Sequence, residues 1–281
     1  MKKKGAISIM KKTAKVLGVT LASALLIVTA ACGKEEAKTL STEKITIGVT
    51  GGPHQQINEE VKKLAEKDGL DITIKTFNDY NTPNTALDER DLDLNNYQTL
   101  PFLEQQVKDK GYKIEDAFKT VAFPMGIYAE GIKDIKELKK GDKIAVPNDP
   151  SNEYRALKLF EAAGVIKLKE GVEEKATKKD VAENKLGLEI VELEASQIPS
   201  QLGEVAAAAI NTNFAMGAGL TINEDAIFHE EIENNPYPNY VVVRTENKDD
   251  EVVKQLEEYF HSDEIRQFIE EEFNGSVVPA F

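Results

Sequence analysis

Cysteine is almost missing from this chain: among 281 residues only Cys32 is one. No internal disulfide is possible, and a lone thiol in an exported protein needs another explanation. Histidine is nearly as scarce. His54, His229 and His261 lie far apart, and none has a second histidine or a cysteine at metal-ligand spacing, which argues against a zinc or catalytic metal site. No Gly-x-Ser-x-Gly elbow, phosphate loop or dinucleotide fingerprint occurs, so no cofactor and no enzymatic activity are expected. Internal repeats and low-complexity tracts are also lacking. Basic charge is the remaining shortage, with 35 Lys and Arg against 49 Asp and Glu.

Much of that basic charge sits at the start. Lys2, Lys3, Lys4, Lys11, Lys12 and Lys15 precede an apolar run from Val16 to Ala31, which ends Val28-Thr29-Ala30-Ala31-Cys32. A basic start, a short apolar core and small residues at its end describe a secretory signal over residues 1–31 rather than a spanning helix. Without the six signal lysines, 29 basic residues face 49 acidic ones, a formal net charge of −20. A chain this acidic is repelled by nucleic acid and by anionic lipid surfaces. Residues 32–43 are polar and read as a tether.

From Lys44 onward, strands and helices alternate. Lys44–Val49 and Leu70–Phe77 are expected strands around a helix from Pro53 to Asp68 that Gly69 ends. Asn78–Asn84 reads as loop, Thr85–Glu89 as a short helical turn and Leu92–Asn95 as a third strand, and Pro101 opens a helix to Lys110. Strand, helix, strand in this rhythm implies parallel pairing. Val121–Ala129, broken at Pro124 and Gly126, suits a strand that leaves one sheet and enters another. Leu188–Leu193 and Asn239–Arg244 alternate as strands. Val205–Asn213 suits helix or strand by composition, with a buried strand ending at Asn211 expected. Val252, Val253, Leu256, Phe260 and then Ile265, Phe268, Ile269 and Phe273 recur at helical spacing. Two βα units joined by two strands imply two lobes with a cleft between them: 44–124 plus 241–281, and 125–240.

The stretch Lys143 to Leu157 is the most informative. A short apolar strand, Ile144–Val146, is stopped by Pro147-Asn148-Asp149-Pro150-Ser151, and a helix then carries Ala156, Leu159, Phe160 and Ala163 on one face. Either Asp149, with Pro150 at the first helical position, or Ser151 caps it. Both leave backbone N–H groups and the positive helix end near Arg155, whose guanidinium is suited to clamp a carboxylate with two parallel hydrogen bonds. The pattern points to a small-anion site, with a solvated surface arginine as the plain alternative.

Several blocks carry a family likeness. Phe77-Asn78-Asp79-Tyr80, Leu94-Asn95-Asn96-Tyr97-Gln98, Val146 to Asn152, Ile190 to Ala195 and Ala209-Ile210-Asn211-Thr212 resemble the NlpA/MetQ family, the lipid-anchored substrate-binding proteins of methionine ABC importers. The likeness runs from about Ile45 to Phe281. It implies an α/β, two-lobed periplasmic-binding-protein fold of type II, each lobe a mainly parallel sheet flanked by helices. Ala30-Ala31-Cys32 resembles the family's lipobox, although Thr29 stands where an aliphatic residue is usual. The resemblance implies lipid attachment at Cys32 and a location on the extracytoplasmic face of the cell membrane, whereas an ordinary signal peptide leaves Cys32 unexplained. Implied partners are methionine or a related amino acid, an ABC permease with its ATPase, and the membrane through the lipid, with the protein itself a monomer.

Carried over residue by residue, the resemblance gives Arg155 the ligand's carboxylate and gives Asn211 and Asn239 the rest of the amino-acid head group. Tyr80, Tyr97 and Phe102 wall the side-chain pocket, and Asn152 supports Arg155. Three positions depart from the family pattern: Thr99 replaces a histidine, Phe102 a tyrosine, and Tyr154 what is commonly glycine. These departures leave open a short methionine-type peptide or another amino-acid derivative as ligand. An exported enzyme or adhesin on the same scaffold requires a catalytic constellation that the sequence does not display.

Overall fold

The structure, a computed structural model, describes residues 39–172 and 175–281. The signal, its cleavage point and Cys32 lie outside the described residues. The chain runs β1 (Lys44–Thr50), α1 (Pro53–Lys67), β2 (Asp71–Phe77), α2 (Thr82–Asp88), β3 (Leu94–Thr99), α3 (Leu100–Lys110) and β4 (Ile114–Ala122). It continues through β5 (Gly126–Tyr128), β6 (Lys143–Pro147), α4 (Pro150–Ala162), β7 (Lys167–Leu168), β8 (Val181–Glu183), β9 (Glu189–Leu193), β10 (Ala207–Ile210), α5 (Thr212–Gly217) and β11 (Ala226–His229). It closes with β12 (Pro238–Arg244), α6 (Glu251–Phe260), α7 (Asp263–Phe273) and β13 (Val278–Pro279).

Two sheets organise the two lobes. One has the order β13-β4-β12-β3-β1-β2 and the other β11-β5-β10-β6-β9, with β7 and β8 forming a separate small hairpin. The expectation of mainly parallel sheets holds for only part of each. β2, β1 and β3 are parallel, as are β10, β6 and β9, but β12, β4, β13, β5 and β11 join antiparallel. The reason is connectivity. The chain leaves the six-stranded sheet through β4 and comes back through its neighbour β12, so these two run in opposite directions.

The first crossing passes through Phe123-Pro124-Met125. Val121–Ala129, expected as one strand, is therefore two, because Pro124 has no N–H to continue a ladder. The second crossing ends where Pro238 pairs with Ala122. A boundary at 241 thus falls inside β12.

Local chemistry accounts for most element ends. Gly52, at φ +84°, turns the chain into α1, whose first residue is Pro53. Gly48 lies where an added Cβ would stand 2.4 Å from Leu92 Cδ1, so the bare backbone of β1 lets Leu92 pack down. Helix α2 begins at Thr82, earlier than expected, because Asp79 Oδ1 accepts from the backbone N–H of Asn81 (2.7 Å) and Thr82 (2.8 Å). The tether is also shorter than expected: Leu40 is buried in the main core and its N–H donates to Asp250 (2.8 Å). The buried strand expected to end at Asn211 is β10, which ends at Ile210, and Asn211 is the N-cap of α5.

Helices α1, α6 and α7 cover the six-stranded sheet. Their apolar stripes, Ile57 and Val61, Val252, Leu256 and Phe260, and Ile265 and Ile269, join β1 and β12 in the largest core. The second sheet has its own core, where Leu157 and Phe160 of α4 meet Ile144, Val146 and Ala209. No helix among the described residues is long and apolar enough to cross a membrane.

Phe260 is 1% exposed and its ring centroid lies 5.6 Å from that of Phe118 on β4. Removing it opens a cavity that rigid strands cannot fill. Phe260→Ala should lower stability by about 3–5 kcal/mol, measured as an earlier midpoint in urea unfolding with little change in slope.

Candidate functional site

The end of β3, the first turns of α1, α3, α4 and α5, the start of β12 and Phe123 of the first crossing meet in one cleft. Of the sequence-expected residues, Tyr80, Tyr97, Thr99, Phe102, Asn152, Arg155, Asn211 and Asn239 all line it. His54, Gln98, Phe123, Thr212 and Asn213 line it as well.

Arg155 enters from α4. Its helix is capped by Asp149, which accepts from the Asn152 N–H (2.9 Å); Ser151 is not the cap. That carboxylate already occupies the helix's N-terminal N–H, so the helix end itself offers no empty anion site. The guanidinium, 5% exposed, is also engaged. Nε donates to Glu230 Oε1 (2.7 Å), and Nη2 donates to Glu230 Oε2 (2.6 Å) and to the Phe123 carbonyl (2.7 Å). The two-pronged carboxylate contact expected from a ligand is thus supplied by the protein. Only Nη1 has no hydrogen-bond partner among the described residues. The Tyr237 ring covers the guanidinium, 4.3 Å from Cζ to centroid.

Burial alone would weaken the Arg155 charge, but the Glu230 carboxylate reverses this and raises its pKa. Burial likewise pushes Glu230 up, and Arg155 with Asn235 and the Met125 N–H brings it below the usual carboxylate range. Both groups are therefore ionised.

The asparagines form a second layer. Asn152, expected to support Arg155, instead accepts from Asn211 Nδ2 (2.8 Å), while its own amide nitrogen donates to Asp149 (3.0 Å). Asn152 sits in the first turn of α4, and its side chain is held there by the Asp149 cap and by Asn211 rather than by the guanidinium. Asn211 stands at the N-cap of α5 yet its side chain caps nothing. Among the described residues its buried Oδ1 has no hydrogen-bond partner, and neither has the buried Asn213 Nδ2, while Asn213 Oδ1 accepts from the Tyr80 O–H (2.5 Å). Two orphaned polar atoms, one acceptor and one donor, sit in the same cleft.

The aromatic wall crosses the cleft. Tyr80, Tyr97 and Phe102 pack with Ala195 and Phe214, with Tyr80 and Phe214 centroids 4.8 Å apart. Tyr97 O–H donates to the Tyr80 carbonyl (2.9 Å). Thr99 ends β3, where it pairs with Asn239 on β12. Among the described residues no cluster of His, Cys, Asp and Glu is arranged to hold a metal ion.

His54, in the first turn of α1, is 2% exposed, with its ring centroid 4.3 Å from that of Phe123. Its Nδ1 lies 2.8 Å from Thr50 Oγ1 and its Nε2 3.0 Å from Asn239 Oδ1. Burial drives its pKa down to about 4, against the raising effect of Asn239, so the ring is neutral. The tautomer satisfying both contacts carries the proton on Nε2, donates to Asn239 Oδ1 and accepts from the Thr50 hydroxyl. Asn239 then presents its Nδ2 to the cleft. Asn213 was legible only as part of an Asn-Thr-Asn run, and Glu230 only as one of several acids in an exposed-looking stretch.

The chain has relatives among known proteins. Residues 45–281 match the family model described as NlpA lipoprotein. The chain is similar to the D-methionine-binding lipoprotein MetQ of Salmonella typhi, 43% identical over 270 residues that span 95% of this chain and 97% of the relative. It is also similar to outer membrane lipoprotein 2 of Mannheimia haemolytica, 41% identical over 272 residues, 94% of this chain and 98% of that one. Among solved structures, it is similar to a nutrient binding protein from Burkholderia cenocepacia bound to methionine, with 46% identity and a TM-score of 0.82 over 84% of this chain and 100% of that one.

A folded-state pKa of about 4 for His54, below the unfolded value near 6.5, means that the unfolded chain takes up this proton first. Stability therefore rises with pH through this window and is lost as pH falls from about 6.5 to about 4, by on the order of 3 kcal/mol for this group. His54→Gln should flatten that part of the curve, measured as the difference between variant and parent urea midpoints at pH 7, 5.5 and 4.5. Parallel curves would mean that the imidazole is not held neutral.

Proposed function

The chain belongs to the NlpA lipoprotein family, and from that premise we propose that it captures methionine in the cleft and delivers it to an ABC importer. The observation that carries this reading is the pair of orphaned atoms, Asn211 Oδ1 and Asn213 Nδ2, beside a guanidinium with one free edge. An α-amino acid supplies the complement to each. Its ammonium donates to Asn211 Oδ1, and its carboxylate accepts from Arg155 Nη1, Asn213 Nδ2 and Asn239 Nδ2. The aromatic box of Tyr80, Tyr97 and Phe102 then receives a thioether side chain, whose polarisable sulfur suits ring edges. Thr99 lines the cleft beside that box. Asn152 acts behind the ligand by holding Asn211.

The protein is tethered through lipid on Cys32 at the extracytoplasmic face of the membrane, where a permease and its ATPase receive the loaded form. The tether shortened by Leu40 supports a body held close to that surface. Cys32→Ala should move the protein from the membrane pellet to the soluble fraction; a variant that stays in the pellet would sink the anchor.

Arg155→Ala removes the carboxylate's charged donor. Loss of one partner of a desolvated charged pair costs about 2–5 kcal/mol, so methionine affinity should fall between about 30-fold and several thousand-fold. Isothermal titration against methionine, with circular dichroism to confirm the fold, checks this. A folded variant with parental affinity places the anchor elsewhere.

A further inference from the structure

Glu230 lies behind Arg155, on the second crossing between β11 and β12, and does not line the cleft. It is 12% exposed on its side chain, and both of its oxygens are engaged. Oε1 accepts from Arg155 Nε (2.7 Å), and Oε2 from Arg155 Nη2 (2.6 Å), Asn235 Nδ2 (2.9 Å) and the Met125 N–H (2.9 Å). Its own N–H donates to the Met125 carbonyl (3.0 Å). One carboxylate therefore joins both crossings to the guanidinium.

The charge consequence is direct. An ionised Glu230 cancels Arg155, so this pair brings no net charge to the floor of the cleft. A ligand enclosed there must itself be neutral overall, or it leaves an uncompensated charge in a desolvated site. A zwitterion meets that condition, whereas a simple carboxylate does not. Asp149, half-buried near the aromatic wall, is tied to Asn152 at the start of α4 and supplies no positive charge that would offset an anion. Glu194 near the same wall acts in the same sense.

We propose that Glu230 is a specificity-determining residue: by cancelling Arg155 from behind, it makes the cleft select net-neutral α-amino acids and reject carboxylates that carry the same side chain without the ammonium. The inference rests on the reading of the cleft as a methionine site. It assigns to Glu230 a discrimination that the hydrogen bond to Asn211 alone would not provide, because that bond stays in place when Glu230 is changed.

The test compares methionine with 4-(methylsulfanyl)butanoate, the same molecule lacking its ammonium, by titration calorimetry. In the parent protein methionine should bind at least about 100-fold more tightly, and in Glu230→Gln that ratio should fall by at least about tenfold. A role confined to holding Arg155 in place weakens both ligands alike and leaves the ratio unmoved; that result would overturn the inference. Glu230→Asp keeps the charge while shortening the reach, and it provides the test if the glutamine variant does not fold. Its ratio should stay within about threefold of the parent's even if both affinities drop, and a collapsed ratio with the charge intact would overturn the inference. A folded parent that binds neither compound overturns the methionine reading and this inference together. A parent that binds methionine while the ratio resists Glu230→Gln overturns the inference alone.

Discussion

A guanidinium taken out of water has to be met by a carboxylate and by carbonyls, and in this protein that requirement falls where two chain crossings come together. Arg155 reaches from α4 to the Phe123 carbonyl on the first crossing and to Glu230 on the second. Glu230 in turn holds the N–H of Met125. The two crossings are thus joined by one buried ion pair at the cleft. Such a pair contributes little to net stability compared with apolar packing, because desolvation offsets most of its Coulomb attraction. What it fixes is geometry: losing either partner strands the other in a site with little solvent.

The rest of the cleft shows how a protein keeps polar atoms ready without leaving them disordered. Each asparagine side chain spends one end on the scaffold. Asn211 donates to Asn152, Asn213 accepts from Tyr80, and Asn239 lies against His54. The opposite end of each amide is then held in one direction, so little conformational entropy is lost when a ligand arrives. The neutral His54 belongs to the same scheme, since a charged imidazolium at that depth would lack an anionic partner and would disturb the orientation of Asn239.

Much of the fold was legible before any coordinates. The alternation in Lys44–Thr50 and Asp71–Phe77, the Gly-Pro start of α1 and the apolar stripes of α6 and α7 are local signals, and local physics suffices to read them. Less legible were β5, α5 and β11, short elements stabilised by neighbours remote in sequence, and the antiparallel half of each sheet, which follows from the path of the chain between lobes. The cleft residues divide in the same way. Tyr80, Tyr97, Phe102 and Asn211 stand out through family blocks. Asn213 and Glu230 carry no local mark, because an amide or a carboxylate looks the same in a solvated loop and in a buried network.

The sequence alone determined which segments become strands and helices around two cores, since apolar periodicity and glycine or proline at element ends act over a few residues. It also placed an arginine in the helix that follows the strand and cap of α4, with a ligand site and a solvated surface both open to it. Only the tertiary structure decided what that arginine would meet. The partner, Glu230, lies 75 positions away, and no pattern within a helix or a strand reports on a contact of that span. The free edges of Asn211 and Asn213 were decided at the same level, because an amide's unpaired end is defined by what its other end has already bound.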